Sequence, residues 1–88
     1  MKLAKGFLTH EMDGETVMAA SGEAAKKFVG LVRANAAASL ILECLKQETT
    51  LDAIADRLFA EYDAPREVLR SDAERVIAQL RAIGAIDE

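Results

Sequence analysis

The stretch that most limits what this chain can fold into is Lys27-Phe28-Val29-Gly30-Leu31-Val32-Arg33-Ala34-Asn35. Phe28, Val29, Leu31 and Val32 favour extended backbone, and Asn35 is a helix cap at the head of an alanine-rich run. Residues before this stretch alternate as a hairpin does, and residues after it read as helix to the end. It is therefore the hinge between a small sheet and a helical half, and the last strand of that sheet. No later strand is expected to pair with it, so one sheet edge stays open. Gly30, mid-strand and without a side chain, marks a bulge or the close approach of another backbone.

Upstream, Phe7–Met12 and Glu15–Ala20 read as two strands joined by Asp13-Gly14, residues that tolerate the positive φ of a two-residue hairpin turn. Leu8, His10 and Met12 share one face and Phe7, Thr9 and Glu11 the other; the pattern does not choose the buried one. In the third strand, Phe28, Gly30 and Val32 lie on one face and Val29, Leu31 and Arg33 on the other, so both faces are partly apolar. In an edge strand only alternate N–H groups point outward. The sequence leaves open which of Leu31 and Val32 does so.

Downstream, Asn35 starts a first helix through Leu45, with Ala37, Ile41, Cys44 and Leu45 on one stripe. Thr49 or Thr50 caps a second, Thr49 forming a capping box with Asp52, and Leu51, Ile54, Leu58, Phe59 and Tyr62 make its buried stripe. Pro65 suits the first position of a third helix, whose stripe is Leu69, Ala73, Val76, Ile77, Leu80 and Ile83. Gly84 is its expected terminator, with Ile86 as the apolar contact beyond. The order is three strands, then three helices, in a single domain over residues 1–88.

A chain of 88 residues, 51% hydrophobic and 30% charged, is a globular domain with room for one small core. One cysteine permits no internal disulfide, and no segment reads as a signal peptide or a membrane span, so a cytoplasmic setting is expected. Catalytic chemistry is not in view. His10 and Cys44, on different elements, do not make a zinc site, and Cys44 has no base near it for nucleophilic work. The glycines form no phosphate loop, and Arg70/Glu74 and Asp72/Arg75 are spaced as surface ion pairs. The chain is expected to be no enzyme and to hold no metal or organic cofactor.

Two binding readings remain. Three helices and a small sheet are the inventory of a winged-helix DNA-binding regulator, with Arg66, Arg70, Arg75 and Arg81 on the third helix. A net charge of −4 and an acidic hairpin of Glu11, Asp13 and Glu15 oppose it. The other reading is strand addition: an extended peptide pairs with the open edge while its side chains fill a groove beside a helix. A covering helix, or a second copy of the chain in a homodimer, would equally satisfy that edge.

Gly22-Glu23-Ala24, then Phe28 to Asn35 running into the alanine-rich helix, resemble the PqqD family. So do Thr50-Leu51-Asp52-Ala53-Ile54-Ala55-Asp56-Arg57-Leu58, Glu61-Tyr62-Asp63, and Leu80 to Ile86. The resemblance spans essentially the whole chain. It implies an α+β, winged-helix-like fold, with a three-stranded antiparallel sheet followed by a three-helix bundle. It also implies a non-catalytic peptide chaperone. Such a module grips the leader of a ribosomal precursor peptide and presents it to a modifying enzyme, often a radical S-adenosylmethionine protein. By position, the implied peptide-binding residues are Phe28, Val29, Gly30, Leu31, Val32 and Arg33 on the strand. On the facing helix they are Leu69, Asp72, Ala73, Val76 and Leu80. The arginine-rich opening of members serving pyrroloquinoline quinone synthesis is missing, and Ala36-Ala37-Ala38 replaces a more polar helix start. The pathway, that one or another peptide-derived natural product, stays open.

Overall fold

The computed structural model describes residues 1–12, 15–22, 31–34 and 36–88, with the side chains of 12, 15 and 31–34 set aside. In chain order the elements are β1 (Lys2–Leu3), β2 (Phe7–Met12), β3 (Glu15–Ala20), β4 (Leu31–Ala34), α1 (Ala36–Cys44), α2 (Leu51–Glu61), α3 (Arg66–Ala82) and β5 (Ile86–Asp87). The Asp13-Gly14 turn, residues 23–30 and the Asn35 cap lie outside the described residues.

Hairpin β2–β3 has the expected bounds, its antiparallel register running from Met12 opposite Glu15 to Phe7 opposite Ala20. β4 adds to the far side of β3, with Met18 opposite Val32 and Val17 opposite Arg33, giving the order β2-β3-β4. The face left undecided by alternation is settled by packing. Phe7 and Met18 are buried in the main core, whereas Leu8 is 52% exposed on the opposite face.

A second, two-stranded sheet was not foreseen. Lys2 pairs with Asp87 and Leu3 with Ile86, so the expected order of three strands then three helices needs a strand added at each end. Its origin is the way α3 stops. Gly84, at φ 77°, turns the chain back; its N–H reaches the Arg81 carbonyl at 3.1 Å, and the Ala85 N–H reaches Leu80 at 2.8 Å. This double bond pattern satisfies the last carbonyls of the helix. Ala85, rather than Ile86, becomes the fully buried residue past the turn, and Ile86 is carried on to β1.

α1 lies at the centre, touching β3 and β4 on one side and α2 and α3 on the other. Its buried residues Ile41 and Leu42, with Leu45 just beyond its end, meet Ile54 and Leu58 of α2 and Leu69, Ala73, Ile77 and Leu80 of α3. Thr50, not Thr49, caps α2: its Oγ1 accepts from the Ala53 N–H at 3.1 Å. The Thr49 N–H is instead bonded to the Met1 carbonyl, so the Thr49–Asp52 capping box does not form. Pro65 is the cap of α3 rather than its first residue. Phe59 also departs from expectation, being 54% exposed. At 100° per residue, the core stripe of α2 is filled by Leu51, Ile54, Ala55, Leu58 and Tyr62. Ala55 takes the inward position, and Phe59 falls on the flank that carries Asp52 and Asp56.

Candidate functional site

The open edge expected of the sheet is the outer side of β4, and its hydrogen-bonding groups can be assigned residue by residue. In an antiparallel ladder each residue turns its N–H and C=O to the same side, and successive residues alternate. Ser21 donates its N–H to the Gly6 carbonyl at 2.7 Å, so odd-numbered positions along β3 face β2 and even-numbered ones face β4. Thr16 stands opposite Ala34 and Met18 opposite Val32. Val32 and Ala34 are therefore the β4 residues bonded to β3, and Leu31 and Arg33 direct their N–H and C=O away from the sheet. Among the described residues no strand pairs with that side. The choice between Leu31 and Val32 that the sequence left open is thereby made: Leu31 is the outward residue. Phe28, Val29 and Gly30 lie outside the described residues.

The residues expected from the helix separate into two groups. Leu69 is 7% exposed, Ala73 0% and Leu80 5%; all three spend their surface on the core. Asp72 and Val76 are half-buried at the surface. Positions four apart share a helix face, and continuing that row one turn back reaches Val68, which is 50% exposed. Val68, Asp72 and Val76 make a surface row of two apolar side chains about one carboxylate. Val68, beside the stronger Leu69 stripe, is not among the residues that the resemblance implies, and its spacing of four from Asp72 places it on that residue's face. The row lies away from α2. Arg66 and Arg70 project from the other flank of α3 and bridge to Asp56 at 2.8 Å and Asp52 at 2.9 Å on α2.

These pairs decide the electrostatic character of α3. Arg70 also lies 3.8 Å from Glu74, Arg75 lies 3.4 Å from Asp72, and Arg81 is paired with Glu88. The Arg70 hydrogen bond and charge hold the Asp52 carboxyl below its ordinary pKa and raise that of Arg70. Such exposed pairs contribute little stability, but each arginine of α3 already has a carboxylate beside it. A basic face of the kind that binds phosphates is thus missing from the described part of this helix.

No other chemistry gathers around the edge among the described residues. Among the described residues no group of three or more His, Cys, Asp or Glu could hold a metal ion, and no helix is long and apolar enough to cross a membrane. Cys44 is half-buried against the core, and that burial pushes its thiol pKa up. It is the less reactive for it.

Comparison with known proteins agrees with this architecture. The chain is similar in structure to TbiB1 solved in complex with the TbiA(beta) leader peptide. The TM-score is 0.82 at 20% sequence identity, covering 99% of this chain and 95% of that one. Comparison with curated proteins gives no match. The profile of the family described as coenzyme PQQ synthesis protein D matches residues 12–86. With the edge strand, the three helices and the profile in agreement over most of its length, the chain belongs to the PqqD family.

Proposed function

We propose that this protein is a non-catalytic recognition module that captures the leader of a ribosomally made precursor peptide by strand addition on β4. The observation that carries the reading is the outward set of N–H and C=O groups on Leu31 and Arg33, unpaired among the described residues. A peptide lying along this edge gains backbone hydrogen bonds that demand little of its sequence. Specificity then comes from a few leader side chains set against Val68, Asp72 and Val76. The family resemblance makes α3 the helix expected beside that edge. TbiB1, a fold neighbour solved with a leader peptide, supports the same occupant. A radical S-adenosylmethionine enzyme is the class of modifying partner the family resemblance favours. The product is pyrroloquinoline quinone or another peptide-derived compound.

The test is a titration of isotopically labelled protein with synthetic leader segments of any short precursor peptides encoded near its gene. Amide shifts at 31–34 and along 68–76 are expected. Shifts confined to 7–20, with 31–34 silent, would refute the proposal. The DNA-binding alternative predicts a submicromolar complex with one duplex sequence near physiological salt. The paired arginines of α3 and the net charge of −4 disfavour it.

A further inference from the structure

The α2–α3 hairpin is laced by ion pairs that recur one helical turn apart. Arg70 meets Asp52 at 2.9 Å, and Arg66 meets Asp56 at 2.8 Å. From the first pair to the second the chain moves one turn forward on α2 and one turn back on α3. A further step in the same sense reaches the last turn of α2 and the link beyond it, where the antiparallel pairing sets Phe59 level with Asp63. No cation stands at this third rung among the described residues. Phe59 is 54% exposed, and Asp63, also exposed, has no ion pair with a described residue.

The backbone at this end is negative as well. Tyr62, extended at φ −121°, donates its N–H to the Leu58 carbonyl at 2.8 Å. The carbonyls of Phe59, Ala60 and Glu61 accept no backbone hydrogen bond from a described residue, and an open helix end of this kind carries a partial negative charge. Its last turn holds Glu61 and no basic residue, whereas α3 has Arg81 in its last turn and closes its carbonyls through Gly84. Over residues 52–67 five carboxylates are set against Arg57 and Arg66, so −3 of the chain's net −4 falls on this stretch. Arg66 is committed to Asp56, and Arg57, two positions from Phe59, stands on the opposite side of the helix.

We infer that this end of the α2–α3 hairpin is a docking site for an arginine of a protein partner. A guanidinium laid on the Phe59 ring gains a cation–π contact. Its planar fork of five donors suits the Asp63 carboxylate and the open carbonyls beside that ring. The incoming arginine then supplies from outside the cation that Arg70 and Arg66 supply at the first two rungs. A lysine fits less well, because an ammonium has no flat face to stack. α1 lies between α2 and the sheet, so an occupied β4 leaves this site open and the inference stands whatever β4 binds.

Titration of isotopically labelled protein with a capped diarginine peptide tests it. Saturable amide shifts are expected at 59–64 with a Kd of about 1–10 mM. The citrulline analogue, similar in shape but uncharged, should bind at least about fivefold more weakly. Phe59→Ala and Asp63→Asn should each raise Kd by about threefold or more, with the urea midpoint held because both side chains are exposed. No saturable shift at 59–64 up to about 50 mM peptide would overturn the inference. So would binding indifferent to both substitutions, or shifts of equal size at Glu11 and Glu43, which mark unspecific cation pairing. Shifts at 59–64 that arise on concentrating the protein alone would overturn it too, by assigning the surface to a second copy.

Discussion

Proline substitution at adjacent positions of β4 separates the sheet's internal bonds from those it offers outward. Leu31→Pro removes an outward N–H and sets the ring Cδ where a peptide carbonyl would approach. The described part of β4 offers outward N–H groups at Leu31 and Arg33 only, so half of these donors are lost. One net hydrogen bond is worth about 1 kcal/mol, and leaving the peptide carbonyl unpaired adds about as much again. Together, about 2 kcal/mol corresponds to roughly thirtyfold in Kd. Val32→Pro removes a different bond, the one donated into β3 opposite the fully buried Met18. Its cost falls on the fold, about 2–3 kcal/mol, in a domain of this length whose whole stability is of order 4–13 kcal/mol. Calorimetric titration with the leader peptide and urea unfolding followed by circular dichroism read the two quantities separately. Equal effects from both substitutions would refute the assignment. So would loss of fold in Leu31→Pro with an intact fold in Val32→Pro.

Three further outcomes are expected. Gly84→Ala should lower stability by about 1–2 kcal/mol, because φ 77° is left-handed while the added methyl meets nothing within 4 Å; an unchanged urea midpoint would contradict this. Val68→Asp should weaken leader binding about fivefold to tenfold through lost apolar contact while the unfolding midpoint stays put. Asp52→Asn should have a pH-dependent cost: Arg70 lowers the folded-state pKa of Asp52, so its stabilisation is complete above the unfolded-state value and lost as pH falls through the folded one. The melting difference between the two proteins should therefore be present at pH 7 and vanish in acid.

Much of this architecture is legible in the residues, and the misreadings have physical causes. The hairpin could be read to the residue because Asp13-Gly14 permits only a tight connection and both flanking runs favour strand. β1 and β5 could not, since two residues carry no period and their pairing depends on the turn that Gly84 imposes. Phe59 was misplaced because size suggests burial, whereas angle on the helix decides it, and Ala55 fills the inward position. Burial also divides the α3 residues that the resemblance implies. Leu69, Ala73 and Leu80 form the strongest apolar row of α3 and for that reason belong to the core. The surface row Val68, Asp72 and Val76 is weaker in pattern because it was not selected for burial.

The strict alternation along β4 also acts as a ruler. A peptide laid on this edge can shift only in steps of two residues, about 6.6–6.8 Å along the strand, if the same side chains are to keep to the same face of the sheet. A shift of one residue exchanges its two faces. Inserting a single residue into a bound leader, between its anchoring side chains and the segment to be modified, leaves the anchor in place and moves the target by about 3.3 Å in an extended chain. Inserting one residue between two anchors makes them incompatible with a single register. On the proposed binding mode the edge would measure distance along its guest as well as hold it, and what it would measure is spacing rather than composition.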